Sequence, residues 1–208
     1  MNQSSLEKEV KFYLSDLPAL KQRLMALGAV NVQPRTREVN YRFDTPGQSL
    51  TQNGQVLRLR HDVHNILTYK GPSQVEGGVR VRPEYEVEVD DLDTARAILE
   101  GLGYVMTVSY EKWRSAWHYN DLEITLDELP YGNFSEIEGS DPATIQAAAR
   151  VLSLDWELRI QASYLELFER LKQSLKLTLP HLSFQALANI PISPQDLGVK
   201  PADRPAYL

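Results

Sequence analysis

The stretch SLEKEVKFYL, Ser5 to Leu14, alternates charge with apolar bulk. In a β-strand, residues two apart point to the same side. Glu7, Glu9 and Lys11 therefore share one face, and Val10, Phe12 and Leu14 take the other. A half-buried strand ordinarily turns its polar side to water, so this strand taken alone predicts a solvated ionic face. What decides the fold is that the pattern recurs. In VRVRPEYEVEV (residues 79–89), Arg80, Arg82, Glu84, Glu86 and Glu88 lie opposite Val79, Val81, Tyr85, Val87 and Val89. VLRLR (56–60) sets Arg58 and Arg60 against Leu57 and Leu59, and YEKWRSAW (110–117) sets Lys112 and Arg114 against Trp113 and Trp117. LEITLDEL (122–129) opposes Glu123, Thr125 and Asp127 to Leu122, Ile124 and Leu126, and FSEIEG (134–139) opposes Glu136 and Glu138 to Ile137.

Like charges side by side in one strand repel, and a surface shaped only for solubility mixes its signs. Here the cations come in pairs, as do the carboxylates. Arg58, Arg60, Lys112 and Arg114 suit a polyanion such as a phosphate chain. Glu7, Glu9, Glu136 and Glu138 suit a hard divalent cation such as Mg²⁺. On pattern alone, two architectures fit. One is an ordinary α+β sheet with solvated ionic faces. The other is a sheet curled into a barrel with an ionic interior and its apolar sides outward under helices.

Four amphipathic helices can supply that cover. SDLPALKQRLMALGA (15–29) has Asp16 as N-cap, Pro18 in its first turn and Gly28 at its end. LDTARAILEGLG, DPATIQAAARVLSL and IQASYLELFERLKQSLKL follow, the last with Ile160, Tyr164, Leu167, Phe168, Leu171 and Leu175 on one face. Hairpins are expected around Val63-His64 and Asn120-Asp121. Beyond residue 177 the prolines at 180, 191, 194, 201 and 205 predict an extended tail, with its Leu, Ile and Phe residues partly against the body. The division expected is a domain over 1–177 and a Pro-rich tail over 178–208.

The 208 residues are 42% hydrophobic and 24% charged, with net charge −6 and no cysteine. Disulfides, thiolate catalysis and cysteine-ligated metals are excluded. The acidic balance gives no general field for nucleic acid. No apolar run is long enough to span a membrane, and the first residues lack the apolar segment of a secretory signal. The expectation is a cytoplasmic protein without nucleic-acid or membrane partners, monomeric or homodimeric. The histidines at 61, 64, 118 and 181 are scattered and expected at the surface.

The motifs in order resemble the CYTH family, the triphosphate tunnel metalloenzymes. EKEVK is similar to its ExExK signature and NYRFDTP to its Tyr and Phe-Asp-Thr-Pro element. LRLR, LTYKGP, EYEVEV and KWR resemble its arginine, lysine, acidic and Lys-x-Arg strands, and LDELPYGNFSEIEG its closing block. The resemblance covers residues 5 to 140 and the helix after them. It implies an α+β protein built on an eight-stranded antiparallel β-barrel, a tunnel with an ionic interior covered by helices. It implies that Glu7 and Glu9 hold Mg²⁺ or Mn²⁺, completed from the opposite wall by Glu136 and Glu138, and that Lys11 reaches the phosphates. Glu7, Glu9, Lys11 and Glu138 are then the catalytic set. Arg58, Arg60, Lys70, Lys112 and Arg114 would bind a triphosphate. Asp127 and one or more of Glu84, Glu86 and Glu88 would assist the metal or orient the cations, with Arg80 and Arg82 as further substrate contacts. The activity implied is metal-dependent hydrolysis of inorganic, thiamine or another organic triphosphate. The alternatives are a class IV adenylate cyclase and a non-catalytic polyphosphate- or nucleotide-binding module. The tail, if it packs over one tunnel mouth, restricts bulky substrates.

Overall fold

Ser5–Leu14 (β1) is a strand because its alternation leaves one side apolar throughout; Val10, Phe12 and Leu14 are all buried. The computed structural model describes residues 5–203. After β1 come the helix Leu17–Ala26 (α1), the long strand Val30–Asp44 (β2) and a short helix Ser49–Gln52 (α2). Strands Val56–His61 (β3), Asn65–Lys70 (β4), Gln74–Glu76 (β5) and Val79–Glu88 (β6) lead to the helix Leu92–Gly101 (α3). Strands Val105–Tyr119 (β7), Leu122–Leu129 (β8) and Gly132–Glu138 (β9) follow, then helices Pro142–Val151 (α4), Tyr164–Leu175 (α5) and Phe184–Leu187 (α6).

Neighbouring strands are antiparallel in the order β1-β9-β8-β7-β2-β3-β4-β6, and β6 pairs back onto β1. Eight strands thus close a ring, while β5 adds only a small hairpin to β6. The alternation seen in the sequence becomes inside and outside. Outward residues Val10, Phe12, Leu14, Ile124 and Ile137 pack with Leu20 and Leu24 of α1 and Ile145 and Ala149 of α4. On the far side, Phe43 and Leu59 pack under Leu99 of α3. The outer face of β6 is covered only at its start: Val79 and Val81 are buried, whereas Tyr85 and Val87 are half exposed.

Helix α5 begins later than its apolar stripe suggested. Ile160 pairs with Lys11 as an isolated bridge, and Ser163 caps α5 in a capping box with Glu166. The segment after α5 packs on one end of the ring. Leu182, Leu187, Leu197 and Val199 share a core with Phe134 of β9 and Leu167, Phe168 and Leu171 of α5. Asp203 accepts hydrogen bonds from the backbone N–H groups of Ser15 and Asp16, tying the segment to the turn between β1 and α1. His181 is half-buried rather than at the surface, its Nδ1 accepting from the Ser109 amide at 3.1 Å.

Asp44, in the FDTP element, ties the end of β2 to the turn and short helix that follow it. Its carboxylate accepts from the amides of Thr45, Leu50 and Thr51 and from the Thr51 hydroxyl, all within 3 Å. Burial pushes the carboxyl up, but these bonds outweigh it and hold the group below its usual value. Asp44→Ala is expected to cost about 2–3 kcal/mol, read as a lower urea midpoint. Because the folded-state value is depressed, the contribution is full above about pH 4 and lost as the pH falls below it. An unchanged midpoint at pH 7 would refute this role.

Candidate active site

Every strand of the ring turns its charged side inward, around a cavity of about 1050 Å³. Glu7, Glu9, Lys11, Arg58, Arg60, Lys70, Lys112, Arg114, Glu136 and Glu138 all line it. The two signs are divided between walls. Most cations come from the contiguous strands β7, β2, β3 and β4 and the principal carboxylates from β1 and β9, with Lys11 of β1 and Arg80 and Arg82 of β6 at the acidic side. Glu9 lies directly beside Glu138, and Lys11 beside Glu136, in the antiparallel register. This corrects one expectation: Glu136 and Glu138 do not face Glu7 and Glu9 from an opposite wall. The chain returns along β9 next to β1 to close the ring, so both ExE elements stand side by side.

The acidic wall has the electrostatics of a cation site. Burial and the neighbouring Glu136 and Glu7 push the Glu9 carboxyl up. Burial and the carboxylates of Glu7, Glu9 and Glu84 push Glu138 up to about 8, a rise that solvent moderates at its open place on the rim. The second oxygen of Glu7, Oε2, is buried with no hydrogen-bond donor among the described residues. Hard oxygen donors that repel each other, one of them unpartnered, fit Mg²⁺ or Mn²⁺. Among the described residues no three acidic or histidine side chains are drawn into a ready coordination set. Two of the candidates are held by cations instead: Glu7 by Lys70 at 2.5 Å, and Glu136 by Lys11 at 3.0 Å and Arg114 at 2.5 Å.

The basic wall has unspent donors. Among the described residues, Arg42 Nε and Arg58 Nε are buried with no hydrogen-bond acceptor, as is Arg82 Nη2 beside the acidic wall, while Arg60 Nε has an ion-pair contact with Asp62 at 3.4 Å. An unpaired buried donor is costly, and three of them around one cavity fit an anion. Glu38 and Arg42, on the inner face of β2, were not singled out from the sequence. The alternation Glu38-Val39-Asn40-Tyr41-Arg42-Phe43 carried that signal. Glu38 is fully buried 3.5 Å from Lys112. Burial raises its carboxyl, but Lys112, Arg114, Arg58 and Arg60 outweigh that and hold it at about 2.

Other sequence candidates separate by position. Asp127 is fully buried and spends both oxygens on Lys112, Arg114 and the Tyr164 hydroxyl. It orients cations and presents no free face to the cavity. Of the three glutamates on β6, Glu84 bonds Lys70 at 3.0 Å, next to Glu7. Glu86 is engaged by Thr68 at 2.7 Å and Arg58 at 3.4 Å. Glu88 pairs with His64 outside the cavity lining, away from Glu9 and Glu138. Arg80 lies 4.0 Å from Glu9 and donates to the Gln161 carbonyl. Tyr164, read from the sequence as helix packing, forms part of the cavity floor.

The site is thus a closed ring of antiparallel strands with a cationic wall and an acidic wall facing one cavity. The chain belongs to the CYTH domain family, whose model matches residues 5–166. The adenylate cyclase CyaB of Aeromonas hydrophila is 30% identical over 140 residues, 65% of this chain and 69% of that protein. A solved structure from Vibrio parahaemolyticus, described as a "putative adenylate cyclase", superposes with a TM-score of 0.73 at 25% identity, covering 80% of this chain and 99% of that one. A Hippeastrum protein, described as a "putative adenylyl cyclase" with a dominant triphosphatase activity, shares the fold with a TM-score of 0.60 at 19% identity, covering 78% of this chain and 95% of that one. Among the described residues no helix is long and apolar enough to cross a membrane.

Proposed function

We propose that this protein is a divalent-metal-dependent triphosphatase acting on inorganic triphosphate or a small organic triphosphate. The observation that carries the reading is the set of buried guanidinium donors without acceptors, facing a cavity whose other wall is a cluster of mutually repelling carboxylates. Phosphoryl transfer is catalysed mainly by positioning and charge neutralisation. Arg58, Arg60 and Arg42 supply forked donors for phosphate oxygens, and Lys11, Lys70 and Lys112 add point charges. Glu9, Glu138 and the free oxygen of Glu7 would hold Mg²⁺ or Mn²⁺. Lys70, by bonding Glu7 and Glu84, couples the acidic wall to the basic one. A bound divalent cation supplies charge neutralisation at the phosphates and a more acidic water.

The second reading is an adenylate cyclase, favoured by the names of the relatives. A cyclase must also hold a base and ribose so that the 3′-hydroxyl reaches the α-phosphate. The sequence contains no identifiable base-reading cluster, and the cavity lining is dominated by charge. The dominant triphosphatase activity described for the Hippeastrum protein supports hydrolysis as a chemistry this fold accommodates. A product assay decides between the readings: tripolyphosphate, thiamine triphosphate and ATP are each supplied with Mg²⁺ and with Mn²⁺. The expected result is phosphate release with the highest kcat/KM on a non-nucleotide triphosphate. Cyclic AMP and pyrophosphate as the main products from ATP, at a higher kcat/KM than any phosphate release, would select the cyclase. Binding of tripolyphosphate with no turnover under either metal would select a non-catalytic module.

A further inference from the structure

We infer that Tyr164, which stands on α5 outside the strand ring, is a positioning residue that aims the phosphate-binding lysines Lys11 and Lys112. The inference rests on the anion-binding reading of the cavity. The Lys11 ammonium lies 4.3 Å from the centre of the Tyr164 ring and the Lys112 ammonium 5.2 Å from it. Both fall within the range of attraction between a cation and an aromatic face. The Tyr164 hydroxyl donates to Asp127 Oδ2 at 2.7 Å, the same oxygen that accepts from Lys112 at 3.1 Å. The chain just before the helix grips Lys11 as well. Ile160 N donates to the Lys11 carbonyl at 2.8 Å, and the Lys11 ammonium donates to the Ala162 carbonyl at 3.5 Å.

An aromatic floor has a specific advantage here. Lys11 and Lys112 are 4% and 2% exposed, so water cannot stabilise their charge. Further carboxylates would stabilise them but cancel the field that an incoming phosphate has to meet. A ring face attracts the ammonium without neutralising it, and it has no flexible chain to pull the lysine aside. The ring is itself fixed. It packs edge-on against Phe134 at 5.2 Å, and the Tyr164 carbonyl accepts from the Tyr131 hydroxyl at 2.7 Å. Through that core the seating of α5 and of residues 182–199 is communicated to two lysines inside the ring. The C-terminal segment is then a working part of the site, although it contributes no phosphate ligand.

The test measures tripolyphosphate affinity by calorimetry, the kcat and KM of hydrolysis, and Tm, for the parent and three variants. Tyr164→Met fills much of the space but removes the ring face. Its affinity is expected to fall roughly tenfold or more. Tyr164→Phe keeps the ring and loses only the bond to Asp127, so its affinity is expected to stay within about threefold of the parent. Leu99→Ala, a control on α3 packed outside the ring against Phe43 and Leu59, should lower Tm and leave affinity unchanged. Parental affinity in Tyr164→Met overturns the inference. So does a loss in a folded Tyr164→Phe of more than tenfold, a measurement that stands even if Tyr164→Met fails to fold. A parent that binds tripolyphosphate but does not hydrolyse it overturns the proposed activity, and the affinity ratios then decide the role of Tyr164 by themselves. A parent that does not bind it overturns both.

Discussion

Glu9→Gln is expected to lower kcat/KM for the triphosphate by about a hundredfold or more while the protein stays folded. Among the described residues the cation nearest to Glu9 is Arg80 at 4.0 Å, and its register neighbour is Glu138. Its carboxylate therefore does little for the fold. It stands instead among groups that repel it, because burial, Glu136 and Glu7 all push its carboxyl up. A neutral amide of the same shape relieves that repulsion, so Tm should hold or rise. For a hard cation the exchange is a loss, since a charged oxygen donor becomes a neutral one. Losing about 3 kcal/mol of transition-state charge stabilisation corresponds to roughly a hundredfold in rate. The measurement is phosphate release at saturating Mg²⁺ and Mn²⁺ alongside a melting curve. Turnover within about threefold of the parent would remove Glu9 from the proposed metal site.

The inside of the ring was legible because strand geometry has a period of two and leaves little freedom. Once Val10, Phe12 and Leu14 face helices, Glu7, Glu9 and Lys11 have only the interior left, and the same holds for Arg58 and Arg60 opposite Leu57 and Leu59. What alternation cannot state is which strand lies beside which. The expectation that Glu136 and Glu138 face Glu7 and Glu9 failed for that reason, because register is fixed by long-range pairing of β1 with β9. Glu38 and Arg42 were readable but sit in a strand broken by register shifts near Gln33 and between Arg42 and Phe43, which blurred the pattern. Tyr164 was not readable at all. It falls on the same helical stripe as Leu167, Phe168 and Leu171, and nothing in a 3.6-residue period distinguishes a tyrosine under two lysines from one in a core. The segment after α5 hides likewise. Its prolines announce irregular backbone, whereas its docking depends on tertiary contacts such as that of Asp203 with Ser15 and Asp16.

Asp127→Ala is expected to cost about 3–5 kcal/mol of stability, the largest single loss in the interior. Asp127 has no exposed surface and accepts four hydrogen bonds. They come from Lys112 at 3.1 Å, from Arg114 through Nε at 2.7 Å and Nη2 at 2.5 Å, and from Tyr164 at 2.7 Å. Lys112 is itself buried, and the Arg114 guanidinium is held well above its usual range, with burial opposed by Asp127 and Glu136. Deleting the carboxylate leaves a lysine and an arginine side by side, with Glu38 3.5 Å from Lys112 and Glu136 2.5 Å from Arg114 to compensate them. Arg114 cannot shed its charge in response. Asp127→Asn keeps the shape and one acceptor but loses the charge, so it is expected to fall between the parent and the alanine variant. The readout is the urea unfolding midpoint of the two variants and the parent at pH 7, with equal m-values as the check that one transition is being compared. A loss below about 1 kcal/mol in Asp127→Ala, the range of an exposed ion pair, would mean that solvent reaches this cluster. The cations of the β7 wall would then be set by water and not by Asp127.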